Sequence, residues 1–137
     1  MSTIVLIDLN NEHGELFYNL FNYYKIKTEW YTPDFFINNL TKFKEYKDCI
    51  FCIPLAWDEK NKINQKDIDA LSRNNLIIAA QDDDYLYPWS FKSVIVADKS
   101  IQMPTPTKTV TGTSGYCAYL TILAVYVPKY VKKLLTR

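Results

Sequence analysis

Short apolar runs without polar alternation recur along the chain and constrain its fold more than any other feature. A strand that is apolar on both sides must be covered on both faces, which happens in parallel sheets flanked by helices. A further stretch rich in β-forming residues, KIKTEWY (25–31), predicts one more strand. The uniform runs are TIVLID (3–8), DCIFCIPL (48–55), NNLIIAA (74–80) and KSVIVAD (92–98).

Amphipathic helical patterns separate these strands, with apolar residues three and four positions apart. Asn64 is placed to cap one of the helices, and QDDDYLYPW (81–89) reads as a loop after the fourth strand. This alternation predicts a single three-layer α/β domain over residues 1–137, with a mainly parallel sheet of at least five strands and right-handed crossovers. The predicted helices cover residues 12–24, 34–46, 64–73 and 112–127.

The composition fits one ordered core. Of the 137 residues, 48% are hydrophobic, and 16 Lys and Arg balance 15 Asp and Glu. That balance gives no electrostatic argument for a nucleic-acid partner. The apolar run 116–127 is too short to span a bilayer, and the first residues lack the basic region of a signal peptide. We therefore expect a cytoplasmic protein without a membrane span.

The cysteines predict neither disulfides nor a metal site. There are three, an odd number, which argues against a closed disulfide framework. Cys49 and Cys52 have the CxxC spacing, but residues three apart on a strand point to opposite faces. The sequence offers no second CxxC or His pair to complete a zinc site. It predicts no cofactor, and the lack of a Gly-rich loop after the first strand argues against a nucleotide.

Three chemically distinct side chains map to one edge of the predicted sheet. Asp8 ends the first strand, His13 starts the first helix, and Ser114 starts the last helix. The carboxyl ends of parallel strands are where ligands bind in such sheets. The chain order Asp, His, Ser is that of the subtilisin triad. The alternative is structural: Asp8 and His13 form a loop cap with His13 exposed, and Thr113 or Ser114 is a helix N-cap.

The chain resembles the subtilisin-like serine peptidases (subtilases) over nearly its whole length. IVLID (4–8) resembles the strand that delivers their catalytic Asp, and EHGELFYNLF (12–21) resembles the helix that starts with their catalytic His. Residues 64–98 resemble the family's helix, its strand ending Ala-Ala-Gly-Asn, and its YPAS…VIAVGA segment. Within them, YPWSFKSVI (87–95) is the most specific match. GTSGYCAYLTILAVYV (112–127) resembles the Gly-Thr-Ser-Met-Ala helix of the nucleophile.

The resemblance implies that Ser114 is the nucleophile, that His13 is the general base and acid, and that Asp8 orients the imidazole. It also implies a substrate peptide in an extended conformation. A helix N-terminus beside Ser114 suits a developing oxyanion, and Gly112 lets a substrate backbone come close.

Several positions depart from the family pattern. The connection from the Asp to the His is far shorter than in the family, and Tyr116 stands where a small residue is expected. Aligned without a gap, Gln81 and Asp82 take the places of the Gly-Asn pair whose Asn donates to the oxyanion. An ionised Asp82 would repel that charge. Pro54 and Leu55 lie on the edge where a substrate strand pairs, and Pro54 lacks one N–H for that ladder.

The predicted function is therefore a minimal serine endopeptidase acting on an extended peptide or protein. The alternative is a catalytically impaired pseudopeptidase that serves as a peptide-binding or partner-binding scaffold, with a protein partner completing the groove. A phosphoacceptor receiver is a weaker alternative, because the third strand ends in IPL rather than in an Asp.

The C-terminal PKYVKKLLTR (128–137) predicts a short amphipathic helix. We expect it to dock on the domain with its basic edge in solvent, while a membrane-surface or partner-docking role is the alternative. The residues expected to dock are Tyr130, Val131, Leu134 and Leu135.

Overall fold

The computed structural model describes residues 2–55, 63–81 and 92–135. Strands and helices alternate through this part of the chain, as apolar runs separated by amphipathic segments require. The strands are β1 (Ile4–Ile7), β2 (Thr28–Tyr31), β3 (Ile50–Ile53), β4 (Leu76–Ala80), β5 (Ile95–Ala97), β6 (Met103–Pro104) and β7 (Thr109–Val110). The helices are α1 (Glu12–Tyr23), α2 (Pro33–Asn38), α3 (Leu40–Phe43), α4 (Gln65–Ser72), α5 (Gly112–Tyr126) and α6 (Pro128–Lys132), and a 3₁₀ turn follows at Lys133–Leu135.

Five strands form one parallel sheet in the order β2-β1-β3-β4-β5. Ile4 of β1, for example, lies opposite Thr28 on one side and Ile50 on the other. The direction of winding reverses between β1 and β3, so the space beyond their carboxyl ends is the topological switch point. The prediction of a three-layer α/β domain with a mainly parallel sheet of at least five strands is confirmed.

Successive strand residues supply two separate cores. Ile4 and Leu6 pack in the first core with α1 and α5, whereas Val5 and Ile7 pack in the second core with α2, α3 and α4. All four residues are completely buried. Burying a Leu, Ile or Val side chain contributes about 1.5–3 kcal/mol relative to exposure. The unbroken apolar composition of these strands is therefore what stabilises both layers.

The predicted helix 34–46 is divided in two. α2 ends at Asn38 and α3 begins at Leu40, because Asn39 between them leaves helical geometry with φ −128° and ψ 29°. The Asn39 side chain donates to the carbonyl of Phe35 at 2.8 Å, a local bond that competes with the regular helix. Apolar periodicity detects the buried face of this segment but not its break.

A hairpin that the sequence does not predict precedes α5. β6 and β7 pair antiparallel, with Met103 opposite Val110. The hydroxyl of Thr105 accepts the backbone N–H of Lys108 at 2.9 Å and closes the turn. The predicted loop 81–89 lies outside the described residues except for its first position.

The C-terminal segment docks through fewer residues than predicted. Val131 is fully buried and Leu134 packs against the first core, but Tyr130 and Leu135 are 62% and 37% exposed. The prediction is wrong for these two residues. α6 is only five residues long and is followed directly by a 3₁₀ turn. Only a narrow stripe of side chains on this segment therefore contacts the rest of the domain. Among the described residues, every helix is too short or too polar to cross a bilayer.

Candidate functional site at the carboxyl edge of the sheet

The carboxylate of Asp8 is fixed at the end of β1. Its backbone N–H donates to the carbonyl of Tyr31 at 3.0 Å, which continues the parallel ladder to the edge of the sheet. The residue is completely buried, and a buried carboxylate needs hydrogen-bond donors. Oδ1 accepts the backbone N–H of Leu9 at 2.7 Å, and Oδ2 lies 2.7 Å from Nδ1 of His13.

This contact fixes the tautomer of His13. Because an ionised carboxylate only accepts hydrogen bonds, Nδ1 carries the proton and donates it to Asp8. Nε2 of the neutral ring is then unprotonated and can act as a base. The imidazole is 38% exposed while the Asp8 side chain is fully buried, so a reactant can approach the ring from outside.

The start of α1 holds the imidazole in place. The side chain of Asn11 accepts the backbone N–H groups of His13 and Gly14 at 3.0 and 3.4 Å and so caps the helix. A side chain at Gly14 would collide with a backbone carbonyl and with the indole of Trp30. The same indole donates from Nε1 to the carbonyl of Asp8 at 3.1 Å. The short connection between Asp8 and His13 is therefore held by Trp30 at the Asp8 end and by the Asn11 cap at the His13 end.

Two hydroxyl groups anchor the start of α5 on the ends of neighbouring strands. Ser114 Oγ donates to the carbonyl of Pro54 at 2.9 Å, just beyond β3. Thr113 Oγ1 donates to the carbonyl of Gln81 at 2.8 Å, just beyond β4. Neither hydroxyl caps the helix, because the N-cap is Thr111, whose side chain makes no capping hydrogen bond. The prediction that Thr113 or Ser114 is the N-cap is therefore wrong, although both hydroxyls make structural hydrogen bonds.

Two backbone donors in the first turn of α5 have no acceptor among the described residues. The chain enters the helix through Gly112, whose φ of 70° is a left-handed conformation that favours glycine. Over the described ranges, the N–H of Gly115 donates to Thr111, but those of Thr113 and Ser114 have no acceptor. Unpaired N–H groups at a helix start attract negative charge. Beside a serine hydroxyl, they can stabilise a developing oxyanion.

Ser114 and the Asp8–His13 pair lie on the same edge and the same face of the sheet. β1 and β3 are adjacent, and neighbouring strands are about 4.8 Å apart. α1 and α5 both cover the first core. Glu12, next to His13, forms an ion pair with Lys108 in the β6–β7 turn, and this contact ties the two helix starts together.

The negative charge of Asp8 contributes to the pKa of a thiol in α5, that of Cys117. Burial raises the pKa of Cys117, as do the hydrogen bond with Cys52 and the negative charge of Asp8. Cys117 lies one turn beyond Ser114 in α5. Among the described hydrogen bonds, however, none joins His13 to Ser114, whose hydroxyl is held by a strand-end carbonyl.

The remaining predicted residues fall into different places. Pro54 and Gln81 contribute their backbone carbonyls, and Leu55, half-buried, directly follows Pro54. Asp82 lies outside the described residues. Tyr116 is half-buried and stacks on a neighbouring tyrosine of α5, with ring centroids 6.3 Å apart.

Sequence reasoning missed two residues that position the site, Asn11 and Trp30. Asn11 was detectable, since an Asn before a helical pattern is a common N-cap. Trp30 gave no local signal, and the partner of Thr113 could not be predicted, because both side chains donate to strand-end carbonyls distant in sequence.

The thiols and carboxylates do not form a metal site in the described part of the chain, where no group of three or more His, Cys, Asp and Glu side chains could hold an ion. Cys49 and Cys52 diverge as predicted. Cys49 Sγ donates to the carbonyl of Lys47 at 3.5 Å, whereas Cys52 Sγ lies 3.8 Å from Cys117 Sγ in the first core.

Comparison of the chain with protein-family models, curated proteins and solved structures gives no match. The doubly wound strand order supports many unrelated activities. Function is therefore argued from the residues at the carboxyl edge.

Proposed function

We propose that the chain is a minimal subtilisin-like serine endopeptidase that acts on a peptide or protein in an extended conformation. Ser114 is the nucleophile, His13 is the general base and acid, and Asp8 orients the imidazole. The observation that carries the proposal is the 2.7 Å contact between Asp8 Oδ2 and His13 Nδ1, made by a buried acid and a half-exposed ring. It supplies the two features that a serine base needs: a fixed tautomer and an accessible second nitrogen.

The chemistry follows from these groups. Ser114 Oγ attacks the scissile carbonyl carbon while its proton passes to His13 Nε2. The same proton then passes to the leaving amine. In the second half-reaction, His13 takes a proton from a water molecule that attacks the acyl-enzyme, and it returns that proton to Ser114 Oγ as the acyl group leaves. The N–H groups of Thr113 and Ser114, which have no acceptor among the described residues, are the proposed donors to the charge that develops on the carbonyl oxygen.

The resting hydroxyl must first leave the carbonyl of Pro54. Rotation of Ser114 about its Cα–Cβ bond between staggered positions releases that hydrogen bond without moving the backbone. A substrate that occupies the switch point competes for the same space, so its binding and the release of the hydroxyl are coupled.

The pseudopeptidase is the second candidate, and the hydrogen bond from Ser114 to Pro54 favours it. In that function the serine is a docking residue for α5, and the site retains a peptide or a protein partner without turning it over. The sequence alignment of Asp82 with the Asn that donates to the oxyanion favours the same function, because an ionised carboxylate would repel that charge.

Labelling with a fluorophosphonate probe separates the two functions. The peptidase is expected to label once, with labelling lost in Ser114→Ala and reduced at least about a hundredfold in His13→Ala. Ser2→Ala, a partly exposed serine before β1 and so at the opposite end of the strands, is the matched control and should label like the parent. A folded parent that does not label, but retains an extended peptide from a library, would establish the pseudopeptidase and overturn the peptidase.

The proposed compartment is the cytoplasm. All three cysteines are free thiols, although two of them have their sulfur atoms within 3.8 Å of each other. A reducing compartment keeps such a pair as thiols.

A further inference from the structure

Charge is segregated along the strand direction, although the net charge is only +1. The opposite edge of the sheet, where the strands begin, carries the turns that lead into β2, β3, β4 and β5, together with the segment that follows α5. We call this end the amino edge. Its acids are Glu45 and Asp48. Its exposed cations are Lys25, Lys27, Lys47, Arg73, Lys92, Lys129, Lys132 and Lys133.

The carboxyl edge has the reverse balance. Its described cations are Lys66, Lys99 and Lys108, the last paired with Glu12. Its described acids are Asp8, Glu12, Glu15, Asp34, Asp67 and Asp98; of these, Asp8 contacts His13 and Asp67 forms an ion pair with Lys44. From residue 99 onwards the chain contains no Asp or Glu.

Apolar side chains protrude among these cations. Tyr126, Val127 and Tyr130 are 53%, 45% and 62% exposed at the end of α5 and in α6. Leu135 in the following turn is also exposed, while Val131 between them holds the segment on the first core. Tyrosines with one polar end and aliphatic side chains beside lysines are the composition that settles at the interface of a lipid bilayer.

A cavity of about 550 Å³ opens at the same edge. Arg73 and Lys132 contribute to its lining together with the carboxylate of Asp48, the polar side chains of Ser72 and Asn74 and the apolar side chain of Leu135. Within the described ranges, neither Arg73 nor Lys132 forms an ion pair. The two cations outnumber the one carboxylate, and a polar recess of net positive charge with an apolar rim matches a phosphate-bearing headgroup and the first part of its acyl chain.

We propose that the amino edge docks on an anionic phospholipid surface. The lysines supply the long-range attraction, the exposed Tyr126, Val127 and Tyr130 enter the headgroup region, and the cavity receives one headgroup. The candidate site lies at the other end of the strands and faces away from the membrane. The exposed tyrosines alone would also suit stacking on the bases of a nucleic acid, but the aliphatic Val127 and Leu135 beside them favour a bilayer.

Flotation of the full chain with phosphatidylcholine vesicles, with and without phosphatidylserine, tests this directly. We expect binding only to the anionic vesicles, with affinity that falls as salt is raised. Lys129→Ala and Lys132→Ala should each lose about fivefold in affinity. The double variant Lys66→Ala and Lys99→Ala, at the carboxyl edge, is the matched control and should bind like the parent.

The tyrosines are tested separately. Tyr126→Ser with Tyr130→Ser should weaken vesicle binding while circular dichroism stays unchanged, because both side chains are exposed. Tyr119→Ser, an exposed position nearer the start of α5, should have no effect. Equal losses in the control variants would overturn the proposal. So would binding to polyuridylate, to polyglutamate or to a second copy of the chain in the absence of vesicle binding.

Discussion

At the scale of single residues, Gly115 is the position on which the docking of α5 most depends. A Cβ at this residue would meet the backbone carbonyl oxygens of Ile101 and Val110, which cannot move aside as a flexible side chain could. Replacing Gly by Ala inside an exposed helix usually stabilises it by about 1 kcal/mol. Here close packing reverses that sign.

We therefore expect Gly115→Ala to lower the free energy of unfolding by about 1–3 kcal/mol through overpacking. Gly112→Asn is the matched control. Among the described residues, no atom lies within 4 Å of a Cβ at Gly112, and Asn tolerates a left-handed φ, so the cost should stay below about 1 kcal/mol. The measurement is the urea midpoint of each variant. A Gly115→Ala variant as stable as the parent would show that α5 is not clamped by the hairpin.

The three proposed catalytic residues show how far the sequence could predict the site. The sequence predicted that Asp8, His13 and Ser114 lie at the carboxyl edge of the sheet. It could do so because they stand at strand ends and helix starts, which follow from local apolar patterns. The carbonyl of Pro54 as the partner of Ser114 could not be predicted, since the contact joins residues 60 positions apart and depends on how α5 sits. The roles of the three residues remain predictions.

At the scale of elements, a carboxylate between two tyrosines joins the outer strand β2 to the segment after α3. Glu29 Oε1 accepts both the Tyr31 and the Tyr46 hydroxyls at 2.6 Å. Burial acts to raise the pKa of Glu29, but the two hydrogen bonds outweigh it and leave the pKa below its ordinary value. The hydrogen bond with Glu29 in turn raises the pKa of Tyr31.

A low pH should weaken the hydrogen bonds of Glu29 that join β2 to the segment after α3. A carboxyl group whose pKa is lowered by folding contributes stability that is present above its unfolded pKa of about 4.3 and is lost as the pH falls through its folded pKa. We expect Glu29→Gln to cost on the order of 1 kcal/mol at neutral pH, and the gap to the parent to shrink as the pH falls below about 5. Urea denaturation of both proteins across that range measures it. Glu45→Gln, an exposed control, should show no such convergence, and a pH-independent gap for Glu29→Gln would contradict the explanation.

The sequence predicted those elements whose burial determines their residue composition. It failed where a single local hydrogen bond determines the backbone conformation. The strands were predicted because both faces of a parallel sheet are covered, which leaves an unbroken apolar run in the sequence. The break at Asn39 was not, because one side-chain hydrogen bond to Phe35 competes with the helix there. The β6–β7 hairpin was missed for a similar reason: two-residue strands leave no periodic pattern.

At the scale of the whole molecule, the two cores share one sheet, and α5 covers the middle of it. Cys52 on β3 and Cys117 on α5 are fully buried between the sheet and this helix, with their Sγ atoms 3.8 Å apart. Cys49, just before β3, is only partly buried. Burial raises the pKa of Cys117, which further disfavours its reactive thiolate. Neither buried thiol can react while α5 remains in place.

These thiols therefore report whether the domain opens as one unit. In a Cys49→Ser variant, we expect a maleimide to modify Cys52 and Cys117 together, at a rate set by global unfolding. The free energy of opening and its urea dependence should equal those of the unfolding transition followed by tryptophan fluorescence, because separating α5 from β3 and β4 removes the cover of the first core. Mass spectrometry of the adducts against urea concentration measures both quantities. A shallower urea dependence would show instead that α5 separates locally, and that Ser114 leaves the carboxyl edge while the rest of the sheet stays folded.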